Sequence, residues 1–73
     1  MDRSLKSART VKIGKIFSDK RISLSMSLED ASKLLFINVD YLNAIEIGDY
    51  SIFPSESFAR AYFKKYAQYL KIA

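Results

Sequence analysis

The sequence predicts an all-α fold, in which four helices form one small helix-turn-helix domain. Along most of the 73 residues, apolar side chains recur at helical intervals of three and four, without the alternation that strands show. Capping residues at Ser27 and Asn38 and a break at Gly48 divide this pattern into short helices. Residues 1–10 are polar and charged and lack apolar periodicity. We therefore expect a flexible basic N-terminal arm ahead of a domain over residues 11–73.

The first two helices are predicted from apolar spacing and one capping pair. Helix 1 begins at Val11 and ends in a serine-rich turn, with Gly14 as a weak point within it. Ser27 and Asp30 have the spacing of an N-cap and its N3 partner, so Ser27 opens helix 2. We expect helix 2 to stop around Phe36.

Helices 3 and 4 are predicted from residues that favour helix ends. Asn38 caps helix 3, which closes at Gly48, the residue best suited to the left-handed conformation after a helix. A loop follows over residues 49–53. The Pro-Ser pair at 54–55 marks the start of helix 4, which runs to about Leu70 and is roughly 25 Å long.

Composition excludes several classes of function. The chain has no cysteine and no histidine, so it offers neither disulfide bonds nor thiolate or imidazole metal ligands. It also lacks a phosphate-binding glycine loop and an activated nucleophile, so the sequence predicts a non-enzyme with no cofactor and no metal site. The longest apolar run, at 34–37, is far shorter than the roughly 20 residues that cross a bilayer, so we expect a soluble, cytoplasmic protein.

The net charge of +4 is unevenly distributed along the chain. Basic residues dominate segments 1–21 and 57–73, whereas acidic residues dominate segment 22–56. The basic arm is open to three interpretations: a solvated tail, attraction to an anionic membrane surface, or phosphate binding on nucleic acid without sequence preference. Its basic residues turn steadily around a helix and make no single face, so no specific site is assigned to it.

The two central helices, 27–35 and 38–47, have the layout of a helix-turn-helix in a lambda-repressor-like fold. The usual function of this layout is DNA binding, with the second helix in the major groove. That helix carries Asp40 and Glu46 and no lysine or arginine, and Asn43 alone offers a base contact. Because carboxylates weaken binding to a polyanion, the sequence disfavours nucleic acid as a partner. A DNA-binding transcriptional regulator is kept as the alternative function.

Several stretches of the chain match the pattern of one known family. They are IGKIF at 13–17, SLEDAS at 27–32, YLNAIEIGDY at 41–50, Phe53 followed by Pro54, and SFARAYFKKYAQYL at 57–70. On these residues the chain resembles the cytoplasmic helix-turn-helix domain of the RodZ family of bacterial cell-shape proteins. It departs from the family pattern at Ser32, where alanine is common, and at Phe36, where a turn glycine is common.

The resemblance implies an adaptor function. Proteins of this family link the actin-like filament protein MreB to the membrane, so the implied partner is MreB and the implied role is cell-shape maintenance. The resemblance also implies a location at the inner face of the cell membrane in the full-length protein, which reaches the membrane only through a segment absent from this chain. The family's contact with MreB uses aromatic residues at the start of the last helix, which correspond here to Phe58 and Tyr62.

Helix 4 carries half of the five tyrosines and five phenylalanines of the chain. The core face expected on a helical wheel consists of Ala59, Phe63, Tyr66 and Leu70. This face leaves an edge of the helix exposed, and exposed aromatic residues are typical of partner sites. The predicted partner-binding residues are Phe58 and Tyr62 as anchors, with Arg60, Lys65 and Tyr69 in support. Such an edge also fits a homodimer, which stays open as an alternative.

Overall fold

Four helices make up the fold that the computed structural model describes over residues 6–72. They are α1 (Ala8–Ser23), α2 (Leu28–Leu35), α3 (Val39–Ile47) and α4 (Glu56–Leu70). Within this part of the chain there is no strand, only an isolated bridge between Lys6 and Asp49, so the predicted all-α fold is confirmed. None of the four helices has the length and apolar character that a membrane span requires.

Helix α1 begins at Ala8 rather than at Val11. The Ser7 hydroxyl accepts a hydrogen bond from the Thr10 backbone N–H at 3.2 Å, and the Thr10 hydroxyl accepts one from the Ser7 N–H at 2.8 Å. This capping box satisfies two backbone donors at the helix start. The helix therefore includes residues 8–10, which the sequence analysis assigned to the arm. Residues 1–5 of the predicted arm lie outside the described residues.

The capping residues predicted for α2 and α3 occupy the expected positions, and the Pro-Ser pair at 54–55 lies directly before α4, whose start it was predicted to mark. Ser27 and Asp30 form a capping box, with hydrogen bonds of 3.0 and 3.2 Å. Asn38 caps α3 through its side-chain oxygen, and Gly48 ends α3 in the left-handed conformation at φ 73°. Ser55 caps α4. These ends were predictable because each is set by residues close together in sequence.

The core is formed by apolar residues from all four helices and the loops between them. The buried apolar residues are Phe17, Ala31, Leu35, Ile37, Leu42, Ala44, Ile45, Phe53, Tyr66 and Leu70. The Phe17 ring of α1 lies 4.9 Å from the Phe63 ring and 5.4 Å from the Tyr66 ring, measured between centroids. Aromatic contacts therefore hold α1 against α4.

Gly14 marks the point of closest approach between α1 and α3. A Cβ atom built on Gly14 would lie 2.6 Å from the carbonyl oxygen of Ile45 and closer still to that of Glu46. Both distances are too short for real carbon–oxygen contacts, so only glycine allows the two backbones to approach this closely. From its sequence context Gly14 was expected only to be a weak point of helix 1, whereas in the structure it allows α1 to pack closely on α3.

Candidate partner-binding surface

Phe58 and Tyr62 lie one turn apart on α4 and contact each other, with ring centroids 6.0 Å apart. Phe58 is 48% exposed. Tyr62 is partly buried, because its ring stacks on Tyr41 of α3 at 5.3 Å and an interplanar angle of 21°. Tyr41 stacks in turn on Phe53 of the following loop at 4.9 Å. The structure thus brings the two predicted anchors together as one exposed ring supported by a stack; we call Phe58 and Tyr62 the aromatic edge.

The other two residues of the edge that the helical wheel left exposed, Lys65 and Tyr69, form hydrogen bonds with residues at the two ends of α2. The Lys65 ammonium donates a hydrogen bond to the carbonyl oxygen of Leu35, at the end of α2, over 2.7 Å. The Tyr69 hydroxyl donates to the sulfur of Met26, just before α2, over 3.8 Å. Tyr62 and Tyr69 are partly buried, so the expectation that both tyrosines lie on an exposed edge is corrected, whereas Lys65 is exposed as expected. A helical wheel carries no information on where neighbouring elements lie, and here they cover part of that edge.

Arg60 lies apart from the other predicted site residues. It lines a groove of about 300 Å³ between α1 and α4, together with Thr10, Ile13 and Phe63. Its guanidinium lies 3.8 Å from the Glu56 carboxylate, and the two side chains are 78% and 74% exposed. An exposed pair of this kind contributes at most about 1 kcal/mol to stability. The structure therefore does not bring Arg60 together with the aromatic edge.

Phe36 is an exposed aromatic residue that the sequence analysis noted only as a departure from the family's turn glycine. Its side chain is 90% exposed, and it ends α2 in the left-handed conformation at φ 56° and ψ 42°. Because the carbonyl of the preceding Leu35 accepts the hydrogen bond of Lys65, Phe36 follows directly on the contact between α2 and α4. A residue that is both strained and exposed is typical of functional positions. In the sequence, the only feature that marks this position is the absence of the turn glycine that is common in the family.

Replacing Phe36 by glycine is expected to raise the free energy of unfolding by about 1 kcal/mol, because glycine adopts the left-handed conformation without strain from Cβ. Urea denaturation followed by circular dichroism measures this change. The matched control is Phe36→Ala, which keeps Cβ and removes only the exposed ring, and which should leave stability nearly unchanged. A loss of stability in both variants would show that the ring packs on the domain.

The outer side of α3, which would enter a DNA groove, carries no positive charge. Its exposed residues are Asp40, Asn43 and Ile47. Glu46 is only 9% exposed, so the expectation that Glu46 would oppose a polyanion is wrong. The absence of lysine and arginine from α3 still disfavours DNA binding by this helix, because contacts to phosphates and guanine edges require them.

Glu46 is the centre of a buried hydrogen-bond network. Its carboxylate accepts hydrogen bonds from Nε and Nη2 of Arg21 at 2.7 and 3.0 Å and from the hydroxyl of Tyr66. The bond to Glu46 raises the pKa of Arg21 above its ordinary value, and burial together with Glu46 raises the pKa of Tyr66. At neutral pH the network is therefore an ion pair with a neutral phenol, and it joins α1, α3 and α4.

Two carboxylates with lowered pKa values accept hydrogen bonds from nearby backbone groups, one at the start of α2 and one in a turn. Hydrogen bonds from Ser27 hold the pKa of Asp30 below its ordinary value, and hydrogen bonds from Ser51 do the same for Asp49. Over residues 6–72, no three acidic side chains are placed to hold a metal ion together. These two carboxylates therefore stabilise local backbone structure.

The arrangement of α2 and α3, joined by a tight turn and packed with α1 and α4, defines a helix-turn-helix domain. A family model described as a helix-turn-helix domain matches residues 16–73. The chain is also 36% identical over 61 residues to the cytoskeleton protein RodZ of Streptococcus pneumoniae. The chain therefore belongs to the RodZ family of helix-turn-helix domains.

The similarity covers most of this chain and a small part of its relative. It extends over 84% of this chain but 22% of the Streptococcus protein, so the chain spans about a fifth of the length of that relative. Neither the description of the family nor the name of the relative denotes an enzyme. No solved structure matches the chain.

Proposed function

We propose that this domain is a cytoskeletal adaptor that binds the actin-like filament protein MreB through the aromatic edge of α4 and so contributes to cell-shape maintenance. The similarity to a cytoskeleton protein supports the class of partner. The main support for the proposal is that an exposed Phe58 ring contacts a partly buried Tyr62 ring on the surface of α4.

The stack beneath the aromatic edge favours tight binding. Tyr62 is held against Tyr41, and Tyr41 against Phe53, so the ring of Tyr62 loses little conformational freedom when a partner covers it. Phe58 then supplies the apolar area that a partner can desolvate. Aromatic side chains in such positions contribute about 2 kcal/mol or more when they are buried in an interface.

The three supporting residues take different parts in this proposal. Lys65 and Tyr69 fix the edge against α2 through their hydrogen bonds to Leu35 and Met26, which sets the position of the aromatic rings. Arg60 lies at the groove between α1 and α4, and we give it no direct contact with the filament. The chain spans about a fifth of its relative, and we propose that such longer proteins reach the inner face of the cell membrane through a segment outside this region.

Phe58→Ala is expected to weaken binding to polymerised MreB by about thirtyfold, since truncation of an interface aromatic costs about 2 kcal/mol. Co-sedimentation with filaments over a range of filament concentrations measures the affinity. The matched control is Ile22→Ala, which truncates a side chain of similar exposure, 59%, at the end of α1. Circular dichroism must show that both variants keep the helical content of the wild type.

Two results would contradict the proposal. Equal pelleting of wild type and Phe58→Ala would place the contact elsewhere, and no pelleting of the wild type would remove the filament as the partner. A homodimer through the same edge is distinguished by sedimentation equilibrium of the domain alone. In that case the mass would rise with concentration in the wild type and not in Phe58→Ala.

A further inference from the structure

Basic side chains border the groove between α1 and α4. On the α1 side the groove is lined by Ile13. The helical repeat places three further residues on the same side of α1 as Ile13. They are Arg9, four residues before Ile13, Ile16, three residues after it, and Lys20, seven residues after it. Arg9 and Lys20 are exposed, and the apolar side chain of Ile16 is 51% exposed between them.

Further basic residues lie on the α4 side of the same groove. Arg60 lines the groove, and Lys64 follows it by four residues, about one helical turn, whereas Lys71 lies just past the helix as its left-handed C-cap. All of these side chains are exposed. We call the following set the basic face: Arg9, Lys20, Arg60 and Lys64.

Exposed carboxylates lie mainly on the other side of the domain. Those of α2 and α3 are Glu29, Asp30 and Asp40. On α1, Asp19 is paired with Lys15 at 3.1 Å; on α4, Glu56 lines the groove itself and lies 3.8 Å from Arg60. Helix α3 meets α1 at Gly14, which lies on a different side of α1 from the stripe of Ile13. The basic face therefore keeps an excess of positive charge over the single carboxylate of Glu56, and it is turned away from the helix-turn-helix pair.

We infer that the basic face docks on the surface of an anionic phospholipid bilayer. Lysine and arginine side chains near such a surface are attracted to the negative headgroups, and the attraction sums over the residues of the face. Ile16, between Arg9 and Lys20, supplies an aliphatic group that can enter the boundary between headgroups and acyl chains. The sequence alone did not reveal this contact, because the face combines residues from two helices far apart in the chain.

A bilayer fits this face better than a nucleic acid does. An exposed isoleucine within the contact gains nothing against a phosphate backbone, whereas a lipid surface desolvates it. The lysines of the face, Lys20 and Lys64, carry flexible ammonium groups, which suit mobile headgroups better than fixed phosphate positions. The basic face lies on the opposite flank of α4 from Phe58 and Tyr62, so this inference does not rest on the proposed filament contact.

The test is co-flotation of the domain with vesicles of phosphatidylcholine alone and of phosphatidylcholine with about one third phosphatidylglycerol. The wild type is expected to float only with the anionic vesicles, and less so as salt is raised. The Lys20→Gln/Lys64→Gln variant is expected to bind them roughly 25-fold more weakly, at about fivefold per lysine. The matched control, Lys15→Gln/Lys33→Gln, removes the same charge away from the face and should bind within about twofold of the wild type.

Three results would overturn the inference. These are equal flotation with neutral vesicles, an equal loss in the control variant, and no flotation of the wild type at low salt. In the last case, binding of a short DNA duplex that depends on Lys20 and Lys64 would assign the face to nucleic acid instead. Circular dichroism of both variants excludes unfolding as the cause of a loss.

Discussion

Glu46→Ala is expected to lower the free energy of unfolding by about 3–5 kcal/mol and to leave much of the domain unfolded. The substitution removes the carboxylate that accepts two hydrogen bonds from Arg21 and one from Tyr66. The Arg21 side chain is only 13% exposed, so its charge would be left buried without a partner. A domain of this size is stabilised by only about 4–11 kcal/mol in total, so a loss of this magnitude is large.

Urea denaturation followed by circular dichroism measures the effect, and two variants delimit its cause. Glu46→Gln keeps hydrogen-bond acceptors and removes the charge, so it should fall between Glu46→Ala and the wild type. Glu29→Ala removes an exposed carboxylate from the first turn of α2 and should cost no more than about 1 kcal/mol. If Glu46→Ala and Glu29→Ala unfold at the same urea concentration, the network does not hold the helices together.

The network also bears on the interpretation of binding experiments. It joins α3, which carries Tyr41, to α4, which carries Tyr62, so it supports the stack beneath the aromatic edge. Loss of Glu46 should therefore abolish filament binding without any contact between Glu46 and the filament. Phe58→Ala is the sharper test of the surface, because the exposed Phe58 ring lies outside the buried network.

Local patterns predicted much of the fold. The ends of α2, α3 and α4 follow from capping residues at Ser27, Asn38 and Ser55, which act on backbone groups within one turn. The start of α1 was missed because Thr10, at a position where glutamate or glutamine is usual, completes its capping box. The signals that were read correctly all concern residues near one another in sequence.

The predicted site could be derived only in part from the sequence, because the solvent exposure of its residues depends on residues far away along the chain. The wheel of α4 cannot show that Tyr41 and Phe53 stack beneath Tyr62. Likewise the carboxylate of Glu46, which looked like a surface charge, is neutralised by Arg21, 25 residues earlier in the chain. Interactions over such separations are set by how helices pack, and a single sequence gives no direct measure of them.

The sequence and the structure predict opposite effects of Gly14→Ala on the free energy of unfolding, so this variant decides between them. If Gly14 were merely a weak point of helix 1, alanine would raise the free energy of unfolding by about 1 kcal/mol through its helix propensity. In the structure, a Cβ atom would lie 2.6 Å from the carbonyl oxygen of Ile45, which is a backbone atom and cannot rotate away. We therefore expect a net loss of about 2–3 kcal/mol, since α1 and α3 must move apart.

Urea denaturation of Gly14→Ala, with Lys12→Ala as a control for helix propensity at an exposed position of α1, gives the sign directly. A loss confirms that α1 meets α3 at Gly14, and this contact fixes the rotation of α1 about its own axis. That rotation determines that Ile13 lines the groove with α4 and that Arg9 and Lys20 lie beside it. A gain in stability would mean that α1 is free to turn, and the basic face assembled from α1 and α4 would lose its structural basis.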